Sequence, residues 1–278
     1  MNVIVLSGGG QAGWDMLGAI SKIQEEIPSF DAYVGTSVGG VIAALCSVGF
    51  HAVELFETLQ YVDISNKPSL VRCVEEFGFC DSQPLMKSVT KLLEEKCGPD
   101  PTFKTHHEQF GADLVITGVC VTTQQIEYFR WDTHPDMKLM DAIRITCSVP
   151  ILFVPVKHDD RLYVDGALGD NFPLEYALRT YKETAERVVG VSVQSVRTQS
   201  TCFFTYVVNV LRFMVDRHQP ITATDSIDEN CTVTIIPLEQ TVSRMFDLFR
   251  NVENKRVMFD QGKESAQNHL KPLPIVNE

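Results

Sequence analysis

Five consecutive residues, Gly35-Thr36-Ser37-Val38-Gly39, form a G-x-S-x-G run. The pattern suits a nucleophilic serine held where a strand turns abruptly into a helix. The glycines answer a steric need, because side chains at the flanking positions would collide with each other or with the strand. The serine at the tip then takes a strained backbone conformation. A helix starting at Val38 aims its free N–H groups and positive dipole end at the reaction centre. The run lies between two apolar stretches, Ala32 to Thr36 and Val38 to Val48, the context that such an elbow requires.

A second glycine-rich run, Gly8-Gly9-Gly10-Gln11-Ala12-Gly13, follows the apolar segment Asn2 to Ser7 and matches G-x-G-x-x-G. In a dinucleotide-binding fold that motif needs an acidic residue near the end of the second strand. Asp31 falls before that strand, and its far end is occupied by Gly35-Thr36-Ser37. The run therefore reads as a loop whose bare backbone amides hold a developing oxyanion. Both glycine loops end strands, so both can sit at one carboxyl edge of a parallel sheet.

A serine hydroxyl needs a base. His218 and His269 lie downstream in the chain, but His218 follows Asp216-Arg217 at a polar helix end and His269 lies in the tail. Asp165 ends the expected strand Arg161-Leu162-Tyr163-Val164 and precedes Gly166-Ala167, a tight turn. On these residues alone, a base and an ordinary turn aspartate remain equally open.

The ordered set resembles the patatin-like phospholipases: the loop Gly8 to Gly13, the elbow Gly35 to Gly39, and Asp165-Gly166-Ala167. The stretch Cys147 to Pro155 and the run Asn171-Phe172-Pro173 extend the resemblance, which covers roughly Asn2 to Ser195. It implies a Ser37–Asp165 dyad without histidine, metal or cofactor, with the Gly8, Gly9 and Gly10 amides as oxyanion hole. Gly13, Gly35, Gly39 and Gly166 are its motif glycines. That family usually carries Lys or Arg where this chain has Ala12, so a cation near the site is missing. The implied reaction is acyl transfer from a lipid ester, of phospholipase A type, through an acyl-enzyme. A soluble esterase or transacylase on the same dyad is the enzymatic rival, and a non-catalytic lipid-binding protein on this fold is the other.

These loops need elements to hold them. Apolar strands at Asn2 to Ser7 and Ala32 to Thr36 suit a parallel sheet covered on both faces, and helices are expected at Gly13 to Ile27, Val38 to Val48 and His51 to Val62. Residues 66–110, with four prolines and a charged helix from Met86 to Lys96, read as a helical insertion at the sheet edge. Asp113 to Thr122 and Gln125 to Trp131 suit a hairpin, and Asp136 to Cys147 a helix. Further strands are expected at Arg161 to Asp165, Arg187 to Val193 and Thr232 to Pro237, with helices at Pro173 to Tyr181, Cys202 to Val215 and Gln240 to Gln267. The alternation predicts α/β, a three-layer α/β/α arrangement with a mostly parallel central sheet and a single domain over residues 1–278. Residues 200–278 carry no motif.

Composition narrows the partners. A net charge of -12 over 278 residues argues against nucleic acid and against electrostatic attachment to anionic lipid. Any transient lipid contact must therefore rest on apolar groups, for which the stretch Cys202 to Val215 is a candidate. The uncharged run Ala32 to Phe50 just reaches the length of a membrane span, but its glycines and serines dilute it, and a buried strand, turn and helix explain it better. No basic segment precedes the first apolar run, so no secretory signal is expected. The eight cysteines show no C-x-x-C pair, so they are expected as free thiols in a cytoplasmic protein.

Overall fold

A computed structural model describes residues 1–62, 83–196, 210, 231–241 and 252–270. Strands β1 (Asn2–Leu6) and β2 (Ala32–Gly35) run parallel with Leu6 beside Gly35, so both glycine loops leave the sheet at one edge. Helix α1 (Gly13–Ile23) follows β1 after one turn of 3-10 helix at Gly10–Ala12, and α2 (Val38–Ser47) follows β2. Next come α3 (Ala52–Leu59), α4 (Gln83–Cys97) and α5 (Phe103–Phe110). The hairpin β3 (Asp113–Cys120) and β4 (Gln125–Phe129) precedes α6 (Leu139–Thr146). Strands β5 (Val156–His158) and β6 (Arg161–Asp165), a turn of 3-10 helix at Gly166–Leu168, helix α7 (Leu174–Thr180), strands β7 (Arg187–Val196) and β8 (Thr232–Thr241), and helix α8 (Val252–His269) complete the described elements.

The sheet order is β5-β6-β3-β2-β1-β7-β8, with β4 also paired to β3. β3, β2, β1, β7 and β8 are mutually parallel, whereas β4, β6 and β5 are antiparallel additions beyond β3. Alternation along β1 shows why three layers form. Ile4 and Leu6 pack with α1, α2 and α3, whereas Val3 and Val5 pack on the opposite face with Phe172, Leu174, Ala177 and Tyr181. The fold is thus the expected α/β/α arrangement.

Several boundaries differ from expectation. The α1 helix stops at Ile23, short of Ile27, and the strand β5 at Val156–His158 is an addition too short to show a pattern in sequence. Gln240 and Thr241, expected in the last helix, belong to β8, which keeps register with β7 through Thr241, and helix α8 covers Val252–His269, while residues 242–251 lie outside the described residues. Part of the proposed insertion is helical (α4, α5), while residues 63–82 and nearly all of the stretch 202–215 lie outside the described residues. Ala32 to Phe50 forms β2 and the buried α2, and among the described residues no single helix is long and apolar enough to cross a membrane.

Helix α8 crosses closely over α1, the helix that follows the first glycine loop. A Cβ on Gly18 would strike the Phe259 carbonyl, and one on Gly262 the Asp15 carbonyl, both backbone groups that cannot turn aside. Gly262→Val should therefore cost about 3 kcal/mol through overpacking, read as a lower midpoint in urea. An unchanged midpoint would show that the two helices separate freely.

Candidate active site

Ser37 sits between β2 and α2 with φ 54 and ψ -128, a left-handed backbone that is rare for a residue with a Cβ. The turn closes only because its neighbours are bare. A Cβ on Gly35 would lie 2.5 Å from the Gly39 carbonyl oxygen, and one on Gly39 would lie 2.5 Å from the carbonyl oxygens of Leu6 and Ser7. A Cβ on Gly13 would lie 2.5 Å from Cγ2 of Val38, so this third glycine lets α1 approach the elbow.

Three hydroxyls pin the elbow. The Ser37 N–H donates to Thr146 Oγ1 at 2.8 Å, tying it to the end of α6. Thr117 Oγ1 donates to Thr36 Oγ1 at 2.8 Å, and Thr36 Oγ1 donates to the Asp170 carbonyl at 2.9 Å. None of these partners is close in sequence, so no local pattern could have announced them.

Ser37 Oγ donates to Asp165 Oδ2 at 2.8 Å. Asp165 ends β6, where its N–H donates to the Ser148 carbonyl at 3.0 Å and its Oδ1 accepts the Ala167 N–H at 2.8 Å. Gly166 is obligatory here, because a Cβ would overlap Thr117 Oγ1. Ser37 is 8% exposed and Asp165 1%. Burial drives the Asp165 carboxyl up to about 7, although the hydrogen bonds from Ala167 and Ser37 pull it back toward the ordinary range. The carboxyl is thus tuned close to neutrality, where a general base is most useful. The same burial, reinforced by the Asp165 charge, raises the Cys147 thiol well above its ordinary value, so it stays protonated.

The glycine loop lies beside the serine, since a Cβ on Gly8 would stand 3.2 Å from the Ser37 Cβ. One expected donor is already engaged: the Gly8 N–H donates to the Asn171 carbonyl at 2.9 Å. Among the described residues the Gly9 and Gly10 amides donate to no protein acceptor, and they remain available to a carbonyl oxygen. Gly10 has φ 55, the left-handed turn that glycine tolerates at no steric cost. Asn171 is the residue that sequence reasoning left without a role, and the Asn171-Phe172-Pro173 run was its only signal.

Among the described residues no histidine is hydrogen-bonded to Ser37 or Asp165. His269 ends α8 exposed, with Nδ1 2.8 Å from the Ser265 carbonyl oxygen, and His218 lies outside the described residues. His106 is buried with Nε2 2.8 Å from Ser47 Oγ, at the far end of α2 from Ser37, and burial lowers it to about 4. Among the described residues no group of three or more His, Cys, Asp or Glu is arranged to hold a metal ion.

Comparison with known proteins finds relatives among lipid hydrolases. The family described as "Patatin-like phospholipase" matches residues 4–178. The "Probable lipid hydrolase 463L" of Invertebrate iridescent virus 6 is 26% identical over 274 residues, covering 95% of this chain and 87% of that protein. A "cGAMP-activated phospholipase" of Vibrio cholerae is 26% identical over 204 residues, covering 62% of this chain and 55% of its own length. Among solved structures, VipD from Legionella pneumophila superposes with a TM-score of 0.56 at 14% identity, covering 96% of this chain and 67% of that one. At that identity the likeness speaks for the fold alone.

Proposed function

Because the chain belongs to the patatin-like phospholipase family, we propose that it is a lipid acyl hydrolase of phospholipase A type working through a Ser37–Asp165 dyad. The observation that carries this reading is the 2.8 Å hydrogen bond from Ser37 Oγ to a buried carboxyl raised to about 7. Ser37 Oγ attacks the ester carbonyl carbon as its proton passes to Asp165 Oδ2, forming a tetrahedral oxyanion. The Gly9 and Gly10 amides then receive that charge. Collapse expels the alcohol, which takes the proton back from Asp165, and leaves an acyl-enzyme. Water, giving a proton to the same carboxylate, attacks the acyl carbon, and collapse releases the fatty acid as Asp165 returns that proton to Ser37 Oγ.

The mechanism calls on no metal or cofactor. Its substrate is a lipid ester met at a transient lipid contact, and the place of action is the cytoplasm, a setting that fits the unpaired thiols of Cys46, Cys97, Cys120 and Cys147. Residues 1–278 are read as one domain, supported by the crossing of α8 on α1.

A fluorophosphonate probe tests the nucleophile directly. It should add its phosphonyl mass at Ser37 in intact protein, and the labelled protein should lose phospholipid hydrolysis in proportion to occupancy. Labelling at another serine, or activity that survives full labelling, would overturn the proposal.

A further inference from the structure

The loop between α6 and β5 holds Asp165 through the Ser148 carbonyl, yet it presents apolar side chains to water. From Ile145 to Val156 it carries no charged residue. The amides of Leu152 and Phe153 both donate to the Val149 carbonyl, at 3.1 and 2.9 Å, closing a tight turn. Leu152 anchors that turn at 3% exposure, while Ile151 and Val154 stand 38% and 37% exposed.

Ile151 also has φ 72. A β-branched residue is a genuine outlier in that region, where glycine or asparagine would be at ease. Neither its burial nor its backbone explains an isoleucine here. A second exposed apolar pair lies beyond the same carboxyl edge. Val121 and Leu162, 45% and 37% exposed, are joined by a Val121 N–H to Leu162 carbonyl bond of 2.8 Å. Gly118 is the residue of β3 opposite Asp165, so both lie farther out along their strands than the dyad.

We infer that the turn Val149 to Val154 is an apolar lip that seats the site on an electrically neutral lipid surface, with Ile151 and Val154 entering the acyl region. Charge selects this occupant. A chain of net charge -12 gains nothing from an anionic bilayer, and an uncharged lip has no group with which to be attracted to one. Its place beside Asp165 lets an ester enter without leaving the lipid for water. The inference rests on the lipid ester hydrolase reading, and it places the apolar surface contact at Val149 to Val154.

The test uses the full chain and an Ile151→Asn, Val154→Ser double variant. Asparagine tolerates the left-handed backbone, so the variant should melt no lower than the native protein. It should hydrolyse a monomeric short-chain ester within about twofold of the native rate. Hydrolysis of phosphatidylcholine vesicles and co-sedimentation with them should each fall at least about tenfold, as expected for losing two buried aliphatic side chains. Native binding should persist in high salt and gain nothing from added phosphatidylserine. Equal loss on monomeric ester and vesicles, unchanged vesicle binding, salt-released preference for phosphatidylserine, or self-association relieved by the variant would each overturn the lip. A native protein inactive on both substrates would instead count against the hydrolase reading, while co-sedimentation still decides the lip.

Discussion

Ser37→Ala should lower hydrolysis of a short-chain ester by ~10³-fold or more, with the circular dichroism spectrum and melting behaviour nearly unchanged. The substitution removes one atom, Oγ, and keeps the Cβ that the strained elbow already accommodates. The Ser37 N–H to Thr146 bond and the turn held by Gly35 and Gly39 do not depend on that atom. What disappears is the donor to Asp165 and, on the proposed mechanism, the only nucleophile. Purified variant and native protein would be compared on one ester across substrate concentrations. Residual activity above a few per cent of native would remove Ser37 from the role.

Asp165→Asn should cost at least ~10² in kcat/KM, whereas His269→Ala should retain most activity. The amide can still accept from Ala167 N–H but cannot take the serine proton. In the native protein kcat/KM should climb as pH rises through about 7, where Asp165 loses its proton. Stability should move the other way. The carboxyl is raised from 3.8 to about 7 on folding, so between those values the folded chain keeps a proton that the unfolded chain has released. The stability this contributes is complete below the lower value and is lost as pH rises toward the upper one. The Asn variant escapes that loss. It should therefore melt higher than native protein near about pH 8, with the difference closing toward about pH 4. A variant that is active, or that melts lower throughout, would show that Asp165 is neither base nor buried charge.

Local patterns revealed what is locally determined. The elbow was legible because a sharp strand-to-helix turn demands bare residues at fixed offsets from Ser37, and Gly35 and Gly39 supply them. The parallel centre was legible from fully apolar runs such as Asn2–Leu6. Asp165 was harder, since a turn aspartate looks the same whether or not a serine lies opposite, and the resemblance decided it. The antiparallel side of the sheet, β5 especially, was hidden because a three-residue strand has no period to detect. The engagement of Gly8 by Asn171 was likewise hidden, being a backbone contact between segments far apart in sequence. No side-chain type records where a carbonyl points.

That contact makes the segment from Asp165 to Asn171 serve two masters. One end carries the carboxyl facing Ser37, and the other end holds Thr36 through the Asp170 carbonyl and the first glycine loop through the Asn171 carbonyl on Gly8. On the proposed mechanism, proton acceptor and charge receptor therefore share one chassis. A distortion anywhere in this stretch would misalign both at once, so substitutions here should behave in combination as a single fault, the second adding little to the first. Variation that tunes one catalytic function while sparing the other must come from outside the segment, from the Gly9–Gly10 turn or from the floor beneath Asp165 at Ser148.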